Sequence, residues 1–382
     1  MKICLVLAAV GSFPCAISAP ARNGKKHSKW DKSTKKGGKK SKNGKKDKYG
    51  LDKQTELVVF GDSLSDVGNV NQFPPCSLTP VIPDLYCGPR ASNGPLAIDL
   101  FNEALGFPPL VANAMPGPDG TGGSPFPGGG NNFAFAAATA SKSTSQNDFF
   151  SQVGLYTGFL QNSQGTATPS ISATTLLYIA IGGNDVIRSI LTDNPVAFVT
   201  EAVAEYIKNV EALVELGACS ILVGGPADIG KIPVAFDFRM AASELSILFN
   251  NLLKAALEGV TIKNDDDSCY GIIFFDFFAI TNEVLDDKRF QKEFPDPEAK
   301  CNDRFVVDCT QCNDVLTQLS APPVPVTPSG ICNCDVPVLP KDEIDFVCEG
   351  IPFYDAYHPT TRFNEFSTEF FLEFLEESAR AE

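Results

Sequence analysis

The sequence is poor in histidine, with two among its 382 residues. His27 lies in a tract of lysines, which leaves His358 as the histidine that can act as a base in a folded domain. Tryptophan is nearly absent as well, since the single Trp30 belongs to the same lysine tract. No Asn-x-Ser/Thr sequon occurs, so N-glycosylation is not expected.

Long apolar runs are missing beyond the N-terminus. The best stretch, Tyr270–Ile280, is short and carries Asp276, so no transmembrane segment is expected. Residues 1–19 have the charged start, apolar centre and small-residue end of a secretory signal peptide. Cys4 and Cys15 lie inside it, and the ten of twelve cysteines that follow suit an oxidising compartment. The sequence therefore predicts a secreted, extracellular protein.

Basic charge is concentrated near the N-terminus, where Arg22–Lys53 holds 14 Lys and Arg against three Asp. Residues 20–53 are predicted to be a disordered tail, because almost nothing in them can be buried. The tail is either a solvated linker or pro-segment, or an anchor to an anionic polysaccharide, mineral or lipid surface. From Gln54 onward there are 16 basic and 43 acidic residues, which argues against nucleic acid as a partner.

Residues 54–382 are long enough for one large α/β domain. Their apolar runs alternate with segments of helical periodicity, which is typical of a parallel sheet covered by helices on both faces, a three-layer α/β/α fold. The predicted strands are Leu57–Phe60, Asn132–Ala137, Leu176–Ile181, Ser220–Val223 and Gly271–Phe275. The predicted helices run from Pro195 to just before Gly217, from about Asp237 to Leu257 and from about Thr361 to Glu376.

Two distant segments carry the residues of a nucleophilic site. Ser63 follows the first strand, where we expect a turn into a helix whose N-terminus favours developing negative charge. A serine hydroxyl needs an adjacent base and a third group that orients the base. His358 and Asp355, three residues apart, suit those roles. The sequence thus predicts a serine hydrolase, and the absence of a Gly-x-Ser-x-Gly elbow argues against the α/β-hydrolase type.

These segments resemble the GDSL or SGNH hydrolases, and specifically the plant-type branch of secreted esterases and lipases. Three blocks occur in the order of that family: Phe60–Asn69, Gly182–Asp185 and Asp355–Pro359. Two further stretches are similar to plant-type blocks, Arg90–Gly94 followed by Asp99, and Asn132–Ala134.

The resemblance implies a flavodoxin-like SGNH-hydrolase fold and hydrolysis of carboxylic esters through an acyl-enzyme, without metal or organic cofactor. It implies Ser63 as nucleophile, His358 as base and Asp355 as the group that orients it. The oxyanion donors would be the backbone amides of Ser63 and Ala137 and the side chain of Asn184. Ala137 stands where the family usually has glycine, and its methyl group leads us to expect an ordinary φ there.

The substrate stays open at this point. Lipid esters, short-chain acyl esters and acetylated carbohydrates are all compatible with the resemblance, as is acyl transfer to an alcohol. The abundance of phenylalanine, 29 residues, favours an acyl-chain groove over a sugar-stacking platform. A non-enzymatic alternative is a matrix- or mineral-associated scaffold with a vestigial hydrolase fold.

The cysteines predict disulfides. Six of them lie in the Pro-rich segment 301–348, a rim or insertion beside the His358 loop, where Cys309-x-x-Cys312 and Cys332-x-Cys334 are also compatible with zinc. Secretion favours disulfides over metal there. Cys76 and Cys87 bracket a loop and are expected to pair. Cys219 and Cys269 precede successive strands in matching register and are also expected to pair.

Overall fold

The computed structural model describes residues 49–70, 90–113, 130–142, 148–263, 267–301 and 348–381. The predicted signal peptide, the tail up to residue 48, the predicted pair Cys76–Cys87 and the cysteines between 302 and 347 lie outside the described residues. Their predictions stay predictions.

A parallel four-stranded sheet forms the centre of the described part of the chain. Its strands lie in the order of the sequence: β1 (Glu56–Gly61), β2 (Thr175–Ala180), β3 (Ser220–Gly224) and β4 (Gly271–Phe275). Strands covered on both faces need continuous apolar side chains rather than alternating ones, and these runs have them. The four corresponding predictions are confirmed to within one residue at each end.

The predicted strand Asn132–Ala137 is wrong as a regular strand. The segment lies along the free edge of β1, and its Asn132 forms two isolated parallel bridges, one to Val59 of β1 and one to Ala112. Three backbone hydrogen bonds join it to β1: Val59 N donates to Asn131 O at 2.9 Å, Phe133 N to Val59 O at 2.7 Å and Phe135 N to Gly61 O at 3.1 Å. Regular pairing ends because the chain turns at Phe135–Ala138. If this segment is counted as the second strand along the chain, β2, β3 and β4 become the third, fourth and fifth. The spatial order is then 2-1-3-4-5, the flavodoxin-like order.

Helices cover both faces of the sheet, as predicted for a three-layer fold. One face packs against α2 (Phe149–Gln164), α4 (Pro195–Glu215) and α5 (Arg239–Leu257), and the other against α1 (Ala97–Leu105), α6 (Phe277–Asp286), α7 (Lys288–Glu293) and α8 (Thr361–Ala381). The short α3 (Gly183–Ser189) follows β2. The predictions for α4, α5 and α8 are confirmed, although α8 continues five residues past its predicted end. Among the helices of the described residues, none is long and apolar enough to cross a membrane.

Aromatic side chains fill both layers between sheet and helices. On one face Phe60 packs edge-on against Tyr156. Tyr206 there donates its buried hydroxyl to Ile179 O at 3.2 Å and Gly224 O at 3.0 Å. On the other face Phe275 packs against Phe371 with ring centroids 4.7 Å apart. Each such buried ring contributes about 2 kcal/mol or more through removal of apolar surface from water, so these layers stabilise the packing of the helices on the sheet.

Two disulfides lie among the described residues. Cys219–Cys269 joins the starts of β3 and β4 with Cα atoms 5.1 Å apart, which confirms the predicted pair. Cys301–Cys348 closes the segment that the sequence marks as rich in cysteine and proline. Two of its six cysteines are therefore not zinc ligands, because both thiols are used in the bridge.

Candidate active site

Ser63 lies where β1 ends, and the backbone there leaves little room. A Cβ on Gly61 would come within 2.7 Å of Ala180 O on β2, so glycine is needed for this close approach. Ser65 N donates to Asp62 O at 3.0 Å, which closes a turn around Ser63. Residues 62–65 form this turn rather than the first turn of a helix. Within the described residues up to 70, the prediction that a helix begins directly after Ser63 is therefore wrong.

Ser63, His358 and Asp355 are joined by hydrogen bonds across almost 300 residues of sequence. His358 Nε2 lies 2.8 Å from Ser63 Oγ. On the other side of the ring, Nδ1 lies 2.8 Å from Asp355 Oδ2 and 3.0 Å from Oδ1. His358 and Asp355 are 6% and 2% exposed, so these bonds are shielded from water. The three side chains named by the sequence are thus in contact in the order that a nucleophile, its base and an orienting carboxylate require.

The loop before α8 holds Asp355 and His358 in register. Asp355 Oδ1 accepts the backbone N–H groups of Tyr357 at 2.7 Å and His358 at 2.8 Å. Tyr354 N donates to His358 O at 2.8 Å, and Cys301 N donates to Phe353 O at 2.9 Å. The Cys301–Cys348 bridge and this backbone bond attach the loop to the chain at Cys301. These backbone bonds therefore hold the Asp355 carboxylate in the position in which it contacts the imidazole ring.

The Arg90–Gly94 stretch supports the same loop from the opposite side. Ser92 Oγ donates to Pro359 O at 2.9 Å, and Asn93 Oδ1 accepts Thr361 N at 2.8 Å. Arg90 forms a two-pronged ion pair with Asp99, with both N–O distances at 2.6 Å. This stretch, which the sequence marked by resemblance only, is structurally a brace for the histidine loop.

Electrostatics around His358 favour its protonated form. Burial lowers its pKa, but the Asp355 carboxylate and its hydrogen bond raise it, with a further contribution from Asp62, and the net pKa lies above the ordinary value of 6.5. Burial raises the pKa of Asp62 to about 6, although the Leu64 N–H and the His358 charge oppose that shift. The pKa of each of these two neighbouring groups is therefore raised above its ordinary value. Asp62 is not among the site residues that the sequence predicts.

Asn184 and the turn at Ala136–Ala138 are in direct contact beside the site. Asn184 is the second residue of α3, and its Nδ2 donates to Ala138 O at 2.8 Å. Ala137 has a φ of 63°, in the left-handed region, which contradicts the expected ordinary φ. Arg188 Nη2 on α3 donates to Ala137 O at 3.2 Å. This conformation costs about 1–2 kcal/mol for a residue with a Cβ, which explains why a glycine is the usual residue in such a turn.

Two buried carboxylates pin that turn. Asp66 Oδ2 accepts Ala136 N at 2.9 Å, and Asp185 Oδ2 accepts Ala140 N at 2.7 Å. Burial raises the pKa of both carboxyls, and the backbone N–H groups partly offset it. Asp66 was not predicted as a site residue, although its place three residues after Ser63 was visible. Asp185 also accepts Ser141 N at 3.0 Å, so its carboxylate has a structural role.

A cavity of about 370 Å³ brings the predicted residues together. Ser63, Ala137, Asn184 and His358 all line it, and Asp355 lies behind His358. It opens at the carboxyl ends of the strands, between β1 and β2, where the order of the sheet reverses and ligands of open α/β sheets bind. One wall thus carries a hydroxyl bound to an imidazole, and the opposite wall carries an amide side chain and a strained turn.

Comparison with known proteins agrees with this architecture. The three-layer fold, with polar side chains gathered at the carboxyl ends of the strands, is that of an open-sheet α/β protein. The chain matches the family model of the GDSL-like lipase/acylhydrolases over residues 57–371, and it belongs to that family. It is similar to a GDSL esterase/lipase of Arabidopsis thaliana, with 23% identity over 344 residues, which covers 80% of this chain and 83% of the relative. Family membership supports an acyl hydrolase of the esterase or lipase type.

Proposed function

We propose that the protein is a serine ester hydrolase that cleaves carboxylic esters of lipids or short acyl groups. The continuous hydrogen-bond chain from Asp355 through His358 to Ser63 carries this proposal. In it, Ser63 Oγ attacks the ester carbonyl and His358 Nε2 takes the hydroxyl proton. The proton then passes to the leaving alcohol, and water hydrolyses the acyl-enzyme by the reverse path. Asp355 keeps the Nδ1–H tautomer and stabilises the imidazolium.

The oxyanion would be held by the backbone N–H groups of Ser63 and Ala137 and by Asn184 Nδ2. The Ala138 O bond uses one of the two N–H bonds of Asn184 and fixes the side chain, which leaves the second for the oxyanion. Preorganised donors of this kind typically contribute about 3 kcal/mol each to the transition state. Nothing in this chemistry calls for a metal or an organic cofactor.

The experiment is hydrolysis of p-nitrophenyl esters by the purified protein and by Ser63→Ala. We expect Ser63→Ala to lose about four or more orders of magnitude in kcat, because both attack and base action are removed together. The matched control is Ser163→Ala on α2, whose hydroxyl bonds Leu160 O outside the cavity. Full activity of Ser63→Ala would refute the proposal, and a fall in the control would indicate a folding defect instead.

We also propose secretion to the extracellular space. The two disulfides support it, because such bridges persist in oxidising compartments. Intact-mass analysis of protein from the culture medium is expected to show a chain that begins after Ala19. Retention of the full N-terminus inside the cell would contradict it.

For the Lys-rich tail we propose binding to an anionic surface, on the basis of its 14 Lys and Arg between residues 22 and 53. Retention on an anionic matrix is expected to fall with salt and to be lost when the tail is deleted. Unchanged retention after deletion would remove this idea.

A further inference from the structure

A second, smaller cavity lies next to the catalytic one. It encloses about 100 Å³ above the ends of β2 and β3. Its far wall comes from Phe277, Thr281 and Leu285 of α6 and from Phe363 and Ser367 of α8. We call this space the apolar chamber. Neither Ser63 nor His358 lines it, so it is distinct from the catalytic cavity.

Both cavities share one wall. Leu64, Ile229, Ile232 and Tyr357 line the catalytic cavity on one side and the apolar chamber on the other. Leu64 directly follows Ser63, and Tyr357 directly precedes His358. A single layer of side chains therefore lies between the chamber and the reacting hydroxyl, and a substrate chain at Ser63 enters the chamber when these side chains move apart.

The chamber walls offer little to a polar ligand. The Thr281 hydroxyl donates to Phe277 O at 2.8 Å, and Asn364 Nδ2 donates to Pro95 O at 3.2 Å. Asp62, Ser65, Lys231 and Ser367 also contribute to the lining, and the other lining residues present mainly hydrocarbon or aromatic surface. Water in such a space finds few of the two to four polar partners that it needs, so apolar atoms are the better occupant. The raised pKa of Asp62, at the shared wall, agrees with poor hydration there.

We propose that the apolar chamber binds a short, unbranched hydrocarbon chain of the ester and so selects the substrate by chain length. An apolar cavity of about 150 Å³ holds benzene, so a chamber of about two thirds that volume holds about four carbons. The inference rests on the proposed ester hydrolysis and adds a substrate class to it. The chain belongs either to the acyl part or to the alcohol part, since both contain the same hydrocarbon.

The test measures kcat/KM in two series of esters on the full mature chain. The first series keeps the p-nitrophenyl group and lengthens the acyl chain from acetyl to octanoyl. The second keeps the acetyl group and lengthens an alkyl alcohol over the same range. In one of the two series we expect kcat/KM to rise about fourfold for each methylene up to about four carbons, and then to stop rising. The series that responds identifies the part of the ester that enters the chamber.

Thr281→Leu fills part of the chamber and is expected to shorten the preferred chain by about one to two carbons. Leu285→Ala enlarges it and is expected to extend the preferred chain. The matched control is Thr157→Leu on α2, where the hydroxyl likewise bonds the carbonyl one turn back, at Val153 O, outside both cavities. This control should keep the profile of the parent protein.

A flat profile in both series would overturn the chamber proposal while leaving ester hydrolysis intact. The chamber proposal also fails if the profile of Thr281→Leu equals that of the parent and of Thr157→Leu. Failure of the proposed function looks different, because then no ester, including acetyl esters, is hydrolysed in a manner that depends on Ser63.

Discussion

Replacing Asp62 by asparagine should make the protein more stable near neutral pH. The Asp62 side chain is 5% exposed, and its Oδ1 accepts Leu64 N at 3.1 Å. An asparagine oxygen can accept the same bond, so the substitution removes the charge while it keeps the shape. The substitution therefore removes the free-energy cost of burying an ionised carboxylate.

The magnitude follows from the pKa of this group. The ordinary pKa is 3.8, and burial raises it in the folded protein to about 6. The folded state therefore holds the proton more tightly than the unfolded chain does. Its stabilising contribution is fully present below pH 3.8 and is lost as the pH rises through 6. The interval between these two values corresponds to about 3 kcal/mol.

The assay is urea unfolding of the parent and of Asp62→Asn at several pH values. The difference in free energy of unfolding, variant minus parent, should rise by about 3 kcal/mol between pH 3.5 and pH 7. The difference at pH 3.5 serves as the internal reference. Asp62 also helps to raise the pKa of His358. The acidic limb of the activity profile should therefore move to lower pH in the variant. A pH-independent difference in stability would refute the reasoning about burial.

Two further substitutions probe the wall opposite His358. Asn184→Ala should lower kcat about 10²–10³-fold with little change in KM, because the donor acts in the transition state, and an unchanged kcat would remove Asn184 from the oxyanion site. Ala137→Gly should raise the free energy of unfolding by about 1 kcal/mol, since glycine accepts a φ of 63° without a Cβ clash, and thermal unfolding that shows a loss of stability would contradict the strain.

Much of the fold could be predicted because it depends on local pattern. The four strands are continuous apolar runs, and α4 begins with the Asn194 side chain accepting Ala197 N, with Pro195 in its first turn. Asn132–Ala137 has a similar composition but is not a regular strand. Its backbone is shared among several partners, since Asn132 O also accepts Asn113 N and Asn69 Nδ2. These additional partners lie in segments distant in sequence, and the periodicity of apolar residues does not reveal such contacts.

The same contrast between local pattern and long-range contacts applies to the site residues. Ser63, Asp355 and His358 could be named because the chemistry restricts the residue types and the chain has few histidines. The left-handed φ of Ala137 was not predictable, because it is imposed by Asp66 and Arg188 from neighbouring segments. The apolar chamber was invisible as well, since its walls come from strand ends and from two helices that meet only in the folded protein.

The most direct test of the central claim is mass-spectrometric mapping of the protein after reaction with an alkyl fluorophosphonate. In this reaction a serine oxygen activated by an adjacent base displaces fluoride from phosphorus, and the product is a stable adduct. We expect one adduct for each chain, on Ser63, and none in His358→Ala, whose fold is checked by unfolding. An ester-hydrolysing protein that carries the adduct on another residue, or on none, would contradict Ser63 as the nucleophile.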